Sequence, residues 1–555
     1  MMCKYTIGLD FGTLSGRAVL VRTDTGEVIA QHAKDYAHGV MTCALPDGTR
    51  LPANFALQHP QDYLDVLFEI VPAVMQSSGV NSDDVIGLGI DFTASTVLPV
   101  DAANEPLCFQ PQFENNPHAY VKLWKHHGAA EQALRMTEVA QKRNERFLHN
   151  CGGKINAETS LPKFLETLEE APEVYHAAAS FLEAGDYLAR KLTGEKVRSQ
   201  QITGFKVFWD KRNGPPQPDY LKEVNPLFEN VVSDKLGGRL VSPGQKAGCL
   251  TTEMAARLHL NPGIAVTAAH LDGHAAGPAV GIDAPGKLLL ILGTSSGAMI
   301  CSPKLVEAPG IFGMLEDGLL PGYYCYEAGQ TCVGDMFNWF CQKCVPAAYE
   351  EEARTKGINI HQLLTEKAAK LQIGESGLIA LDWWNGNRSC LADTELTGMM
   401  LGMTLSTRPE EMYRALLEAS VFGMRRIIDN FEEHGIRISE IHASGGIAKK
   451  NTLMMQMYAD VTGRKIYIGA SNQSPALGSA IYGAVAAGKI SGGYDDLAEA
   501  SARMGKVEEK YYEPVAENAK RYEKLYQEFL ILHDYFGKGA NDVMKRVLRM
   551  RQESI

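Results

Sequence analysis

The 555-residue chain is 45% hydrophobic and 22% charged, the balance of a globular protein too long for a single core. A net charge of −12 argues against nucleic acid as a main partner, and no apolar run approaches the roughly 20 residues that span a bilayer. Eleven scattered cysteines fit a reducing cytoplasm, the lone Cys341-Gln342-Lys343-Cys344 lacks a second pair at zinc spacing, and the start Met1-Met2-Cys3-Lys4 shows no signal-peptide pattern.

In chain order, Lys4 to Val21 reads as two short apolar strands joined by Gly12-Thr13-Leu14-Ser15-Gly16, with a third strand after the turn Thr23 to Glu27. Residues 59–78 carry a helical pattern, and Val85 to Asp91 reads as a buried strand, so strands alternating with helices predict an α/β fold. Residues 115–149 and 161–193 read as mainly helical, and Asp210 to Pro218 as a loop. Val266 to Ala269 reads as the last strand of a first half, ending at His270-Leu271-Asp272-Gly273-His274. Further helices are expected at 328–345, 359–371, 409–434 and 450–462, and a charged helical tail after Gly492-Gly493.

The first hairpin has an echo. Gly293-Thr294-Ser295-Ser296-Gly297 repeats the Gly-Thr-X-Ser-Gly pattern of Gly12 to Gly16, again between apolar runs, about half a chain later. Glycines let backbone approach a ligand closely, and hydroxyls beside exposed N–H groups suit phosphate oxygens. Each stretch alone is also compatible with an ordinary glycine-rich hairpin. Together they suggest two similar domains that hold a nucleotide.

Gly398-Met399-Met400-Leu401-Gly402-Met403, then Glu411-Met412 and Ala415-Leu416-Leu417-Glu418, resembles the second signature of the FGGY carbohydrate kinases, a family with the actin-like ATPase (ribonuclease H-like) fold. Leu9 to Gly16, Asn116 to His127, Tyr326 to Gln330 and Leu381 to Arg388 are similar to segments of the members that act on ribulose, and similarity runs from about residue 4 to about 530. Two places depart. Those members usually carry tryptophan after the residue matching Glu158, where this chain has Glu158-Thr159-Ser160-Leu161-Pro162-Lys163, and Gly293 to Ala298 lacks their Cys-His. The departures leave the sugar open.

The resemblance implies two similar domains around a nucleotide and sugar cleft: 1–280 for the sugar, 281–492 for the nucleotide, and a helical tail over 493–555 packed on the core. It implies ATP and Mg²⁺ as cofactors. Phosphoryl transfer needs positioning and charge neutralisation, and the sugar hydroxyl needs a base. Asp272 is the expected base, since a carboxylate that opens a helix is favoured in its ionised form; read from sequence alone it is equally an N-cap. His270 and His274 flank it at a spacing better suited to packing than to a metal site. Asp10 is the expected Mg²⁺-side carboxylate, acting through water.

Gly12, Thr13, Ser15 and Arg17 would meet phosphates from the first hairpin, and Gly293 with Thr294 from the second; Arg17 also reads as a surface strand arginine. Gly445 and Gly446, with Asn451 beyond them, fit an adenosine contact at a strand-to-helix turn, and the family match adds Gly334 and Asn338. Asp91, Ala94, Lys206 and Glu327 match the family's sugar contacts, while Lys206 between aromatics also reads as a snorkelling side chain.

The expected activity is ATP-dependent phosphorylation of L-ribulose to the 5-phosphate, a step of arabinose catabolism. The alternatives are a kinase for xylulose, D-ribulose or ribitol, or a non-catalytic actin-fold protein that binds nucleotide. The expected partners are a small sugar and ATP, without nucleic acid or membrane, and a homodimer is admitted.

Overall fold

A computed structural model describes residues 3–553; Met1, Met2 and the last two residues of the expected tail lie outside the described residues. The chain divides into two compact units. The first takes the chain up to Ala284, Gly313–Cys325 and Gln473–Lys506; the second takes Pro285–Phe312, Tyr326–Asn472 and the chain from Val507.

The first unit is built on strands β1 (Tyr5–Phe11), β2 (Ser15–Arg22), β3 (Val28–Asp35), β4 (Val85–Phe92), β5 (Lys246–Cys249) and β6 (Ala265–Leu271), in the order β5-β6-β4-β1-β2-β3. β1, β2 and β3 form an antiparallel meander, β1 runs parallel to β4 and β4 to β6, and β5 closes the edge antiparallel to β6. The second unit repeats the plan. Its strands β7 (Lys287–Leu292), β8 (Ser296–Ser302), β9 (Tyr324–Gln330), β10 (Glu440–Ser444), β11 (Ile466–Gly469) and β12 (Val507–Tyr512) lie in the order β9-β8-β7-β10-β11-β12. Here too the first two strands are antiparallel, the first runs parallel to the fourth, and the edge strand is antiparallel. The plans differ in when the edge strand arrives: β5 precedes its neighbour in the chain, and β12 follows it.

β1, β4 and β6 are buried along nearly their whole length, as the central strands of a sheet covered on both faces must be. One face is covered by Pro60–Ser78, a helix begun by Pro60 behind the capping side chain of His59 and ended by Gly79 at φ +66°. The other is covered by Ser474–Ala487, which arrives from late in the chain. Its approach is possible only because the strands carry glycine. A Cβ on Gly8 would lie 1.8 Å from the Ala476 carbonyl oxygen, and one on Gly89 1.7 Å from that of Ser479. Between β4 and β5 the chain builds a second core of the first unit, around Met136, Phe164, Phe181 and Tyr220.

Several expected elements change. In 115–149 only Ala130–Arg143 is a long helix: Asn116 caps one tight turn, and Val121–Lys122 then pairs with Leu57–Gln58. The span 161–193 is cut at Pro172 and again by the strand Ser180–Glu183, which pairs with Val97–Val100. Ala328 to Gln330 is extended, not helical, because Gly329 lies against β8, where a Cβ would be 2.2 Å from the Ser296 oxygen; the helix starts at Gly334. The tail is helical over Leu497–Met504, Ala516–Gly537 and Val543–Glu553, but Val507–Tyr512 is a strand. Among the described residues, no helix is long and apolar enough to cross a membrane.

Candidate active site

Three carboxylates of the first unit meet where its parallel strands end. The register sets Asp10 of β1 opposite Asp91 of β4, and Asp91 opposite His270 of β6, two residues before Asp272. The carboxyl ends of such strands are where ligands bind in open α/β sheets. Asp91 is buried, and its Oδ2 accepts from Ser479 Oγ at 2.7 Å. Burial first, then the charges of Asp10 and Asp272, push the Asp91 carboxyl well above the usual range, against the pull of the Ser479 hydroxyl. Arg17, opposite Asp10 on β2, donates from Nη1 to Asp10 Oδ2 at 2.8 Å and from Nη2 to Ser15 Oγ at 3.2 Å. The arginine thus answers part of the negative charge that the sheet collects.

The turn between β1 and β2 is tight, with Gly12 N–H donating to Ser15 O at 3.0 Å. Thr13 at its tip is held by side chains from elsewhere: Gln58 Nε2 donates to its carbonyl at 2.8 Å and Trp124 Nε1 to its hydroxyl at 3.1 Å. Asp272 opens the helix Asp272–Ala279 directly after β6, and its Oδ1 accepts from the Gly273 N–H at 2.7 Å. The preceding Leu271 N–H donates to Gln201 Oε1 at 2.8 Å, which fixes the strand-to-helix turn. Ala94 is the partly exposed residue of the turn after β4, and Lys206 is partly exposed on the helix Gln200–Val207. The positive charge of Lys206 acts on the buried Glu183, whose carboxylate also holds the Thr96 N–H beside Ala94.

His270 is a packing residue. It is fully enclosed, stacks on Tyr482 with centroids 3.6 Å apart and planes 5° apart, and shares a 3.1 Å hydrogen bond from Nδ1 with Ile90 O. His274 packs against Phe205.

In the second unit the hairpin between β7 and β8 repeats the first, with Gly293 N–H donating to Ser295 O at 3.0 Å. The helix Gly334–Lys343 starts on it: Val333 N–H donates to Thr294 O at 2.9 Å and Gly334 N–H to Gly293 O at 3.0 Å. Asn338, one turn along, is exposed and accepts from Gln342 Nε2 at 3.1 Å. Gly445 follows β10 at φ +102°, where a Cβ would be 2.2 Å from Leu292 O, while a Cβ on Gly446 would meet nothing within 4 Å. Asn451 caps the next helix, its Oδ1 accepting from Met454 N–H at 3.0 Å. Glu327 lies in β9; its Oε2 is buried without a hydrogen-bond partner among the described residues.

The expected residues therefore fall into two sets. Asp10, Gly12, Thr13, Ser15, Arg17, Asp91, Ala94, Lys206 and Asp272 belong to the first unit; Gly293, Thr294, Glu327, Gly334, Asn338, Gly445, Gly446 and Asn451 belong to the second. Two supports escaped the sequence reading. Ser479 is one, although the small-residue run Gly478-Ser479-Ala480 matches the glycines of β1 and β4. The other is Gln330, which accepts from Ser296 Oγ at 2.9 Å behind the second hairpin and donates to the buried Asp382 at 2.6 Å. Burial raises the Asp382 carboxyl to about 6.

Comparison with known proteins identifies the family. Residues 5–278 match the N-terminal domain, and 288–487 the C-terminal domain, of the FGGY family of carbohydrate kinases. A protein of Halalkalibacterium halodurans named ribulokinase is 51% identical over 552 residues, covering 99% of this chain and 98% of the relative. One of Mycolicibacterium smegmatis with the same name is 43% identical over 554 residues, covering 99% and 97%. In fold, the chain is similar to a xylulose kinase from Rhodospirillum rubrum, with a TM-score of 0.77 at 22% identity over 96% of this chain and 98% of that one. The fold is the actin-like ATPase fold, in two repeats. With both family domains matched in order and relatives similar over their full length, this chain belongs to the FGGY family of carbohydrate kinases.

Proposed function

We propose that the chain transfers the γ-phosphoryl group of ATP to the terminal hydroxyl of L-ribulose, giving L-ribulose 5-phosphate and ADP. The observation that carries this reading is the placing of Asp272 at a helix N-terminus, next in line to Asp10 and Asp91 on adjacent strand ends. The full-length similarity to proteins named ribulokinase supports the choice of sugar.

Asp272 accepts the proton of the attacking hydroxyl as its oxygen bonds to the γ-phosphorus and the bond to ADP breaks. A helix N-terminus favours the ionised carboxylate that this role needs. Asp91, Ala94 and Lys206 are the first unit's sugar contacts, and Glu327 has the same role in the second. The buried Glu327 Oε2 suits a sugar hydroxyl as its donor. Gly12, Thr13, Ser15 and Arg17 contact phosphate in the first unit and Gly293 with Thr294 in the second, where Gly334, Asn338, Gly445, Gly446 and Asn451 serve the rest of the nucleotide.

Mg²⁺ is part of the reading. Asp10 and Asp91 face each other on adjacent strands, and hard oxygen donors of this kind fit that cation. Asp10 would hold it through water, and when bound the ion neutralises phosphate charge. Work in the cytoplasm also belongs to this reading, since the eleven cysteines are all free.

A panel of ketopentoses and pentitols, assayed by coupled ADP detection, tests the proposal. The highest kcat/KM is expected on L-ribulose. Little activity on either ribulose enantiomer, with turnover of xylulose or ribitol, would replace the sugar; no turnover at all would leave a nucleotide-binding protein.

A further inference from the structure

Behind the expected sugar contact Ala94, one peptide bond is gripped from both sides by buried charges. After β4 the chain turns through Thr93-Ala94-Ser95-Thr96, and Ser95 takes φ +50°, a left-handed backbone that disfavours any residue with a side chain. Lys163 Nζ donates to Ser95 O at 2.6 Å and to Leu123 O at 2.8 Å. Glu183 Oε2 accepts from the Thr96 N–H at 3.1 Å. The Ser95 carbonyl and the Thr96 N–H are the two polar ends of the same amide. Ser160 Oγ completes the arrangement by donating to Glu183 Oε1 at 2.5 Å. Lys163 and Ser160 are fully buried and Glu183 nearly so.

Ordinary turns do not need this. Burying an ammonium and a carboxylate is costly, and apolar side chains of similar volume commonly do as well for stability. Burial drives both groups toward their neutral forms, the lysine downward and the glutamate upward. What these polar groups supply and apolar groups cannot is direction: two hydrogen bonds that hold the two ends of one amide in a fixed orientation. The amide so held lies one residue beyond Ala94, the only residue of the turn that is not buried.

We propose that Lys163 and Glu183 are positioning residues that clamp the Ser95–Thr96 peptide and thereby set where Ala94 stands against the sugar. The proposal rests on Ala94 being a sugar contact. The clamp's third member, Ser160, follows directly on Thr159, the residue that stands where the ribulose-acting members usually carry tryptophan.

Wild-type protein is first run on the sugar panel, and the sugar it accepts best is then used for E183A, E183Q and S160A. E183A should raise the KM for sugar by about tenfold or more while the KM for ATP stays within about threefold, since the lost hydrogen bond serves only the sugar side. E183Q keeps an oxygen that can accept the Thr96 N–H and should recover most of that loss. S160A should show a smaller rise, roughly two- to fivefold. If E183A does not fold, E183Q and S160A carry the same comparison. Unchanged sugar KM in folded S160A and E183A would overturn the clamp, and so would sugar and ATP KM rising together in step with a falling melting temperature. A wild type that prefers another sugar overturns the choice of L-ribulose and leaves the clamp to be judged on that sugar; a wild type that phosphorylates none overturns both.

Discussion

Asp91 lies directly across the strand register from Asp10, and both residues are buried. A carboxyl raised in this way is stabilised in its protonated form. Below its unfolded value it contributes fully to stability, and that contribution is lost as pH rises toward its folded value. D91N has no such loss and retains an oxygen for the Ser479 hydroxyl. Thermal melts from pH 4 to pH 8 should show the variant gaining on the wild type as pH rises above the unfolded value of 3.8, while its KM for sugar increases. A melting difference that stays flat across this range would contradict the raised carboxyl.

Asp272 makes the sharpest kinetic prediction. D272N preserves size and can still accept from the Gly273 N–H, so the helix start should survive. Loss of a general base should lower kcat by about 10²–10⁴ with the KM for ATP little changed. Steady-state kinetics beside an unchanged melting temperature is the check. A variant with wild-type kcat would remove Asp272 from the reaction.

Much of this site was legible in the residues themselves. Short apolar runs broken by Gly12 to Gly16 and Gly293 to Gly297 mark the two hairpins, since glycine turns and buried strands are local properties. Asp272 was visible as an acid between a strand and a helix. What stayed hidden depends on contacts across hundreds of residues. Ser479 reaches Asp91 only because Ser474–Ala487 returns to the first unit, and the partners of Lys163 and Glu183 lie on separate elements. The helix expected from 328 failed for a related reason: Tyr324–Gln330 has an ambiguous local pattern, and pairing beside β8 decided it.

Gly445 and Gly446 should separate fold from nucleotide binding. G445A places a Cβ 2.2 Å from Leu292 O at φ +102°, so it should lose about 1–3 kcal/mol of stability and weaken ATP binding with it. G446A meets open space and should melt like the wild type. If Gly446 lies against the nucleotide, the KM for ATP rises in G446A without any change in melting. Normal ATP kinetics in G446A would take that residue off the nucleotide.

The enclosed His270 predicts how the fold responds to acid. Burial, the first cause, lowers it from 6.5 to about 4, against the hydrogen bond to Ile90 O. A base with a depressed folded value contributes stability above its unfolded value and loses it as pH falls. The window is therefore pH 6.5 down to about 4, with a ceiling of about 3 kcal/mol at 1.36 kcal/mol per unit. H270N keeps a donor for Ile90 O but gives up the stack on Tyr482, so it should be less stable than the wild type at pH 7. As pH falls to 4.5 the wild type alone carries the cost of an imidazole that cannot take a proton while folded. Urea unfolding at pH 7 and 4.5 should show the gap between the two proteins narrowing, and a gap of constant size would mean that His270 takes up its proton as freely in the folded chain as in the unfolded one.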